Sequence, residues 1–199
     1  MNFLAHLHLA DISNTSLAGN IAGDFCRGNI AHHPQHLRQG IWLHRKIDTL
    51  TDNDESVKML RAQFPTPLRR VAPILVDLAF DHMLARYWDE YHHQPLKQFS
   101  QRCYQHLEAT DELPNTLQTL LPKMRHGDWL SSYANKLGFH QAVEGVSTRL
   151  SKPELFTGAT KALTKLDVDV EIAFRTFYPQ LMAYCRRWSR ETPPEYLLD

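Results

Sequence analysis

Residues 71–91 read VAPILVDLAFDHMLARYWDEY, and this stretch decides the fold. Apolar side chains recur at Val71, Leu75, Leu78, Ala79, Met83 and Tyr87, the three-to-four-residue spacing of one helix face. Into this apolar run the sequence sets Asp77, Asp81 and His82, among Ile74, Leu75, Leu78 and Phe80. A carboxylate on the buried side of a helix is costly unless it is paired or metal-bound. Either the three polar groups face solvent between two buried stripes, or they serve an interior site.

The same period extends outward in both directions. Leu37 to Leu50 carries it through Ile41, Leu43 and Ile47. Asp169 to Trp188 reads as a last long amphipathic helix with Ile172, Phe174, Phe177, Leu181 and Tyr184 inward. Pro179 should kink or split it, because proline lacks the N–H that the helix needs. Sustained apolar/polar alternation is missing, as are Asn-Gly and Asp-Gly turns, so strands are not expected. Breaks fall at Asn29–Pro34, Phe64–Pro67, near Pro95, at Leu113–Pro114, at Gly127 and at Ser151–Pro153. Ser151 reads as a helix N-cap with Pro153 and Glu154 behind it. The expectation is an all-α, single-domain helical bundle over residues 1–190, followed by a C-terminal tail, 191–199, that carries Pro193 and Pro194.

Composition narrows the function. The 199 residues carry 22 basic and 22 acidic side chains, so the basic excess of a nucleic-acid-binding protein is absent. The start, MNFLAHLHLADIS, is broken by His6, His8 and Asp11 and has no basic leader, unlike a signal peptide. No apolar run reaches membrane-spanning length, which excludes a membrane-embedded helix. Cys26, Cys103 and Cys185 are odd in number and far apart, as in a reducing compartment, and the expected location is the cytoplasm. The 12 histidines are unusual; His32, His33, His36, His92 and His93 sit in polar stretches and read as surface residues.

Four segments could carry chemistry. His44 and Asp48 lie one turn apart and can grip a divalent cation or simply hydrogen-bond on an exposed face. Asp77, Asp81 and His82 form the second group. The third is GNIAGDFCRG, residues 19–28, where Asp24 could ligate a metal and Arg27 neutralise a phosphate oxygen, or the two could form an internal salt bridge. At the N-terminus His6 shares a face with Asn2 and is either a ligand or a hydrogen-bonded core histidine. Carboxylate and imidazole donors without thiolate suit Mn²⁺ or Mg²⁺. With no serine elbow or Cys–His signature, a metal-activated water is the best available nucleophile.

These residues resemble a known family. MNFLAHLHLA at the start, GNIAGDFCRG at 19–28, GIWLHRKIDTLTD at 40–52, RRVAPILVDLAFDHMLARYW at 69–88 and FYPQLM at 177–182 together resemble the acyl carrier protein phosphodiesterases. The resemblance implies a cytosolic enzyme that removes 4′-phosphopantetheine from the serine of holo-acyl carrier protein. It also implies a distant kinship with the all-helical HD-type metal phosphohydrolases, with manganese as the usual metal. The sequence contains no His-Asp dipeptide, only the reversed Asp81-His82, so that ligand scheme does not transfer position by position. The matching motifs imply Asp24, His44, Asp48, Asp81 and His82 as ligands, with Asp77 and His6 as supporting or alternate ones. Arg27 and Arg45 are candidates for the phosphate. Arg69 and Arg70, then Arg38 and Lys46, are candidates for docking the acidic carrier. The rival readings are a phosphohydrolase acting on a nucleotide or other small phosphoester, and a non-catalytic module that binds the carrier. The helices after Gly127 are expected to shape the groove for the arm.

Overall fold

The structure, a computed structural model, describes residues 1–188, so the expected 191–199 tail lies outside the described residues. Twelve α-helices succeed one another, with no strand among the described residues. The first five are α1 (Phe3–Ile12), α2 (Leu17–Ala22), α3 (Gln35–Asn53), α4 (Glu55–Gln63) and α5 (Ala72–Arg86). After the short α6 (Trp88–Tyr91) come α7 (Leu96–Glu108), α8 (Asn115–His126), α9 (Trp129–Ser132) and α10 (Lys136–Ser147). The last two are α11 (Ala159–Lys165) and α12 (Asp167–Cys185).

The stretch 71–91 supplies the centre. Eleven of the 15 residues of α5 are buried, as expected of a helix apolar on nearly every side. It packs against α1, α4, α10 and α12. Helix α1 is also sunk in the core, with Phe3 through Ala10 all buried. Helices α2 and α3 cross at backbone contact. A Cβ on Gly19 would lie 2.2 Å from the Leu37 carbonyl oxygen, and one on Gly40 would lie 2.4 Å from the Asn20 nitrogen. Only glycine at both positions allows that approach. Ser16, Asp54 and Asn135 cap α2, α4 and α10 through side-chain oxygens.

Several local expectations need correction. Helix α12 runs through Pro179 without splitting. Pro179 is exposed, so the carbonyl one turn earlier can turn to water in place of the missing N–H. Ile172 is 61% exposed rather than inward. The buried stripe runs through Val170, Phe174, Phe177, Tyr178 and Leu181, and at about 100° per residue position 172 falls opposite Val170. Ser151 is not an N-cap; the short 3₁₀ helix Pro153–Phe156 starts after Lys152 and has no side-chain cap. His92 is buried, its Nε2 3.0 Å from Asp11 Oδ2.

Candidate metal centre

The spacing of His44 and Asp48 on α3 places both side chains over α1 and the end of α2. His44 Nε2 lies 3.1 Å from Asp48 Oδ2 and 3.6 Å from Asp24 Oδ1. From α1, His6 stacks on His44 with ring centroids 4.0 Å apart and brings its Nε2 to 3.2 Å from Asp48 Oδ1. The room for this stack comes from Gly23, where a Cβ would sit 2.2 Å from His44 Cγ. Asp24 follows immediately, at the mouth of the site. Arg45 fixes the loop beyond it by donating Nη2–H to the Cys26 carbonyl and Nη1–H to the Gly28 carbonyl.

His6 decides the chemistry of the cluster. Its Nδ1 lies 2.9 Å from Asn20 Oδ1, an atom that can only accept, so the ring carries its proton on Nδ1. Burial and the adjacent His44 hold its pKa down at about 3, so the ring is neutral. Its buried Nε2 therefore turns a lone pair toward the Asp48 carboxylate and makes no hydrogen bond. Burial works to raise the Asp48 pKa, but the His44 imidazole and the Met1 ammonium outweigh it and hold the carboxyl well below the usual range. Two acceptors facing each other at this distance could share a cation, and the Met1 ammonium already lies 3.3 Å from the same Asp48 oxygen. His6, His44 and Asp48 bring ligand atoms within 4.8 Å of one another.

Asp77 completes the negative wall. It projects from α5 toward the same space, and burial raises its pKa. The ammonium of Met1 is drawn between the two carboxylates, 3.1 Å from Asp77 Oδ1 and 3.3 Å from Asp48 Oδ1. A positive charge is thus already stable in this field.

Beside Asp24 opens a largely apolar cavity of about 860 Å³. Asn2, Phe3 and Phe25 form one side; α8, α9 and α10 form the other. The histidine–aspartate cluster and the cavity meet at Asp24.

The sequence model of the family described as "Acyl carrier protein phosphodiesterase" matches residues 1–181. The chain belongs to the acyl carrier protein phosphodiesterase family. A relative from Yersinia pestis, named acyl carrier protein phosphodiesterase, is 37% identical over 185 residues, 92% of this chain and 96% of that protein. One of the same name from Salmonella dublin is 35% identical over 192 residues, 94% of this chain and 98% of its own length. No solved structure matches significantly.

The family's motifs converge only in part. Asp24, His44, Asp48, Asp77 and His6 come together, while Asp81 and His82 point elsewhere. Asp81 is fully buried and accepts N–H bonds from Leu4 at 2.7 Å and Ala5 at 3.0 Å, which caps the start of α1. Burial lifts its pKa to about 7. His82 is turned about 100° from its neighbour. Its Nδ1 meets the Tyr133 carbonyl at 2.6 Å, and its ring stacks on Phe139 at 4.5 Å. Arg45 is committed to the loop carbonyls, which leaves Arg27, exposed on that loop, closer to the role of a free cation.

None of the docking candidates lines the cavity. Arg38 donates to the His33 carbonyl, Arg69 to the Phe64 carbonyl, and Lys46 lies over Trp42. Arg70 is exposed. Sequence reasoning assigned no role to Asn20, although a buried amide in an otherwise apolar helix turn is a signal. It also passed over Lys123, in α8, and Arg149, in the turn after α10, which line the cavity and carry no distinguishing pattern in the sequence.

Proposed function

We propose that the chain hydrolyses the phosphodiester joining 4′-phosphopantetheine to the serine of holo-acyl carrier protein, releasing the apo carrier. The family's name supplies the substrate. The carrying observation for the chemistry is the convergence of the His6, His44 and Asp48 ligand atoms within 4.8 Å of one another, beside the Asp24 carboxylate.

The donors fit a divalent ion. An octahedron with bonds of about 2.1 Å has edges near 3.0 Å. The His44–Asp48, His6–Asp48 and His44–Asp24 separations of 3.1, 3.2 and 3.6 Å are close to that edge. Asp77 Oδ1, 3.1 Å from the Met1 ammonium, adds a further acceptor. The mixed carboxylate and imidazole set favours Mn²⁺, with Mg²⁺ as the alternative. Asp24, His44 and Asp48 would hold the ion, with Asp77 and His6 completing the site. Asp81 and His82 belong to the supporting structure.

When bound, such a cation supplies a Lewis acid that acidifies water and polarises a phosphoryl oxygen. The chain does the rest. Asn20 holds His6 in the tautomer that presents Nε2. Arg45 keeps Asp24 at the boundary between cluster and cavity. Arg27 offers a guanidinium to the phosphate oxygens. Water attacks phosphorus, the bond to the serine oxygen breaks, and that oxygen takes a proton as it leaves. The location that suits three buried free cysteines is the cytoplasm. No helix among the described residues is long and apolar enough to cross a membrane.

The test is intact-mass spectrometry of holo-acyl carrier protein incubated with the enzyme and Mn²⁺. Loss of the whole phosphopantetheine arm, abolished by chelator and by Asp24→Ala, is expected. An unchanged carrier mass across several divalent metals would refute the assignment.

A further inference from the structure

Lys123 and Arg149 stand out once the metal cluster has been accounted for. Both line the cavity beside Asp24, and both are exposed, which places them at its mouth. Neither has a carboxylate partner among the described residues. Arg149 is nonetheless held in place: its guanidinium lies 5.4 Å over the Trp129 ring, and its Nε donates to the Gly145 carbonyl at 2.9 Å. Two unpaired cations at the rim of an apolar cavity, one of them positioned by a ring, suit a ligand with an anionic end and an apolar body.

The interior matches such a body. Phe25, Leu120 and Val146 offer apolar contact, and Asn115, Thr119 and Gln141 offer hydrogen-bond partners to amides. A Cβ built on Gly145 meets nothing within 4 Å, so the space over α10 is free rather than needed for packing. At about 860 Å³ the cavity is in the upper part of the range for small-molecule sites.

We propose that this cavity seats the pantetheine arm, and that Lys123 and Arg149 grip its phosphate-bearing end. This rests on the function proposed above. The arm's methyl-bearing segment and two amides match the wall, its one charged group matches the two cations, and Asp24 lines the same cavity at the border of the metal cluster. The second half of the chain then serves as the arm's binding site.

The probes are free 4′-phosphopantetheine and pantetheine, which lacks the phosphate, titrated calorimetrically into wild type, Lys123→Gln, Arg149→Gln and Gly145→Leu. Each variant is also melted, titrated with Mn²⁺ and assayed for the KM of holo-carrier. Wild type should prefer the phosphorylated probe. Losing one charge-assisted contact should weaken that probe about tenfold and leave pantetheine unchanged. Gly145→Leu should weaken both probes and raise KM, with melting temperature and Mn²⁺ affinity retained. Equal binding and equal KM in wild type and all variants would overturn the proposal. Wild type that binds the probes with these variant effects but leaves holo-carrier intact would overturn the proposed reaction and keep the arm site. Turnover by wild type with indifferent variants would do the reverse.

Discussion

Gly23→Ala tests the metal cluster at its tightest point. The backbone at Gly23 is helical, with φ −52° and ψ −38°, so alanine meets no conformational barrier there. Its methyl would lie 2.2, 2.5 and 2.6 Å from His44 Cγ, Cδ2 and Cβ. Carbon atoms settle at about 3.5 Å or more, so the imidazole must retreat by about 1.3 Å. That movement breaks the stack on His6 and opens the 3.1 Å approach of His44 to Asp48. A misplacement of about 1 Å can cost on the order of 100-fold in rate. The stability effect is smaller. Overpacking costs about 1–3 kcal/mol, offset by about 0.5–1 kcal/mol from replacing a helical glycine. Expected, then, is a folded protein with a small fall in melting temperature, weakened Mn²⁺ binding and turnover of holo-carrier down by about two orders of magnitude. Adding His44→Ala removes the two closest contacts but keeps the one to Cβ at 2.6 Å, so it should return part of the lost stability without returning activity. Turnover within threefold of wild type in a folded Gly23→Ala enzyme would show that His44 need not sit where the structure puts it.

The other predictions separate ligands from scaffold. Asp81→Ala should lower stability by about 2–6 kcal/mol, because two buried N–H groups of α1 lose their acceptor at about 1–3 kcal/mol each; thermal melts read this, and an unchanged melting temperature would contradict the capping role. His82→Ala should cost about 1–2 kcal/mol through the lost Tyr133 bond and Phe139 stack, yet keep Mn²⁺ affinity in calorimetry. A large loss of affinity would restore His82 as a ligand. Stability should also fall on acidification through the ordinary aspartate range because of Asp11. Burial opposes its ionisation, but His92 and Arg102 hold the folded pKa well below the unfolded one. The unfolded chain therefore binds the proton first, and the contribution is present above about pH 4 and lost below it. Asp11→Asn should flatten that acid limb in urea titrations, and an unaltered limb would exclude Asp11 as its source.

How much of this was legible in the sequence depended on whether a signal was local. The helices were, because a period of three to four residues shows wherever one face is buried, and α5 and α3 show it plainly. The pairing of His44 with Asp48 was legible because one turn of a single helix fixes it. Asp77 and Asp81 share that spacing on α5, yet Asp77 looks at the cluster and Asp81 at the amides of α1. What separates them is how α1 lies across α5, which no local pattern encodes. Lys123 and Arg149 were hidden for the same reason. They lie 26 residues apart in the sequence and line one cavity, and each alone reads as a surface cation.

The reassignment of Asp81 ties fold to site. Its carboxylate holds the N–H groups of Leu4 and Ala5, the residues directly before His6. That bond sets where α1 begins against α5 and therefore how far His6 reaches toward Asp48. Asn20 then fixes the ring's proton from the opposite side, and Gly23 clears the space in which His44 meets it. A buried carboxylate with a raised pKa looks like a catalytic group in sequence and in electrostatics alike. Its two backbone partners show instead that it acts one step away, by positioning the helix that carries a proposed ligand. Losing Asp81 should therefore cost stability and metal affinity together by shifting α1, whereas losing Asp48 should remove metal binding and its pairing to His44 and the Met1 ammonium while α1 stays in place. Those are the two patterns that a scaffold residue and a ligand must leave.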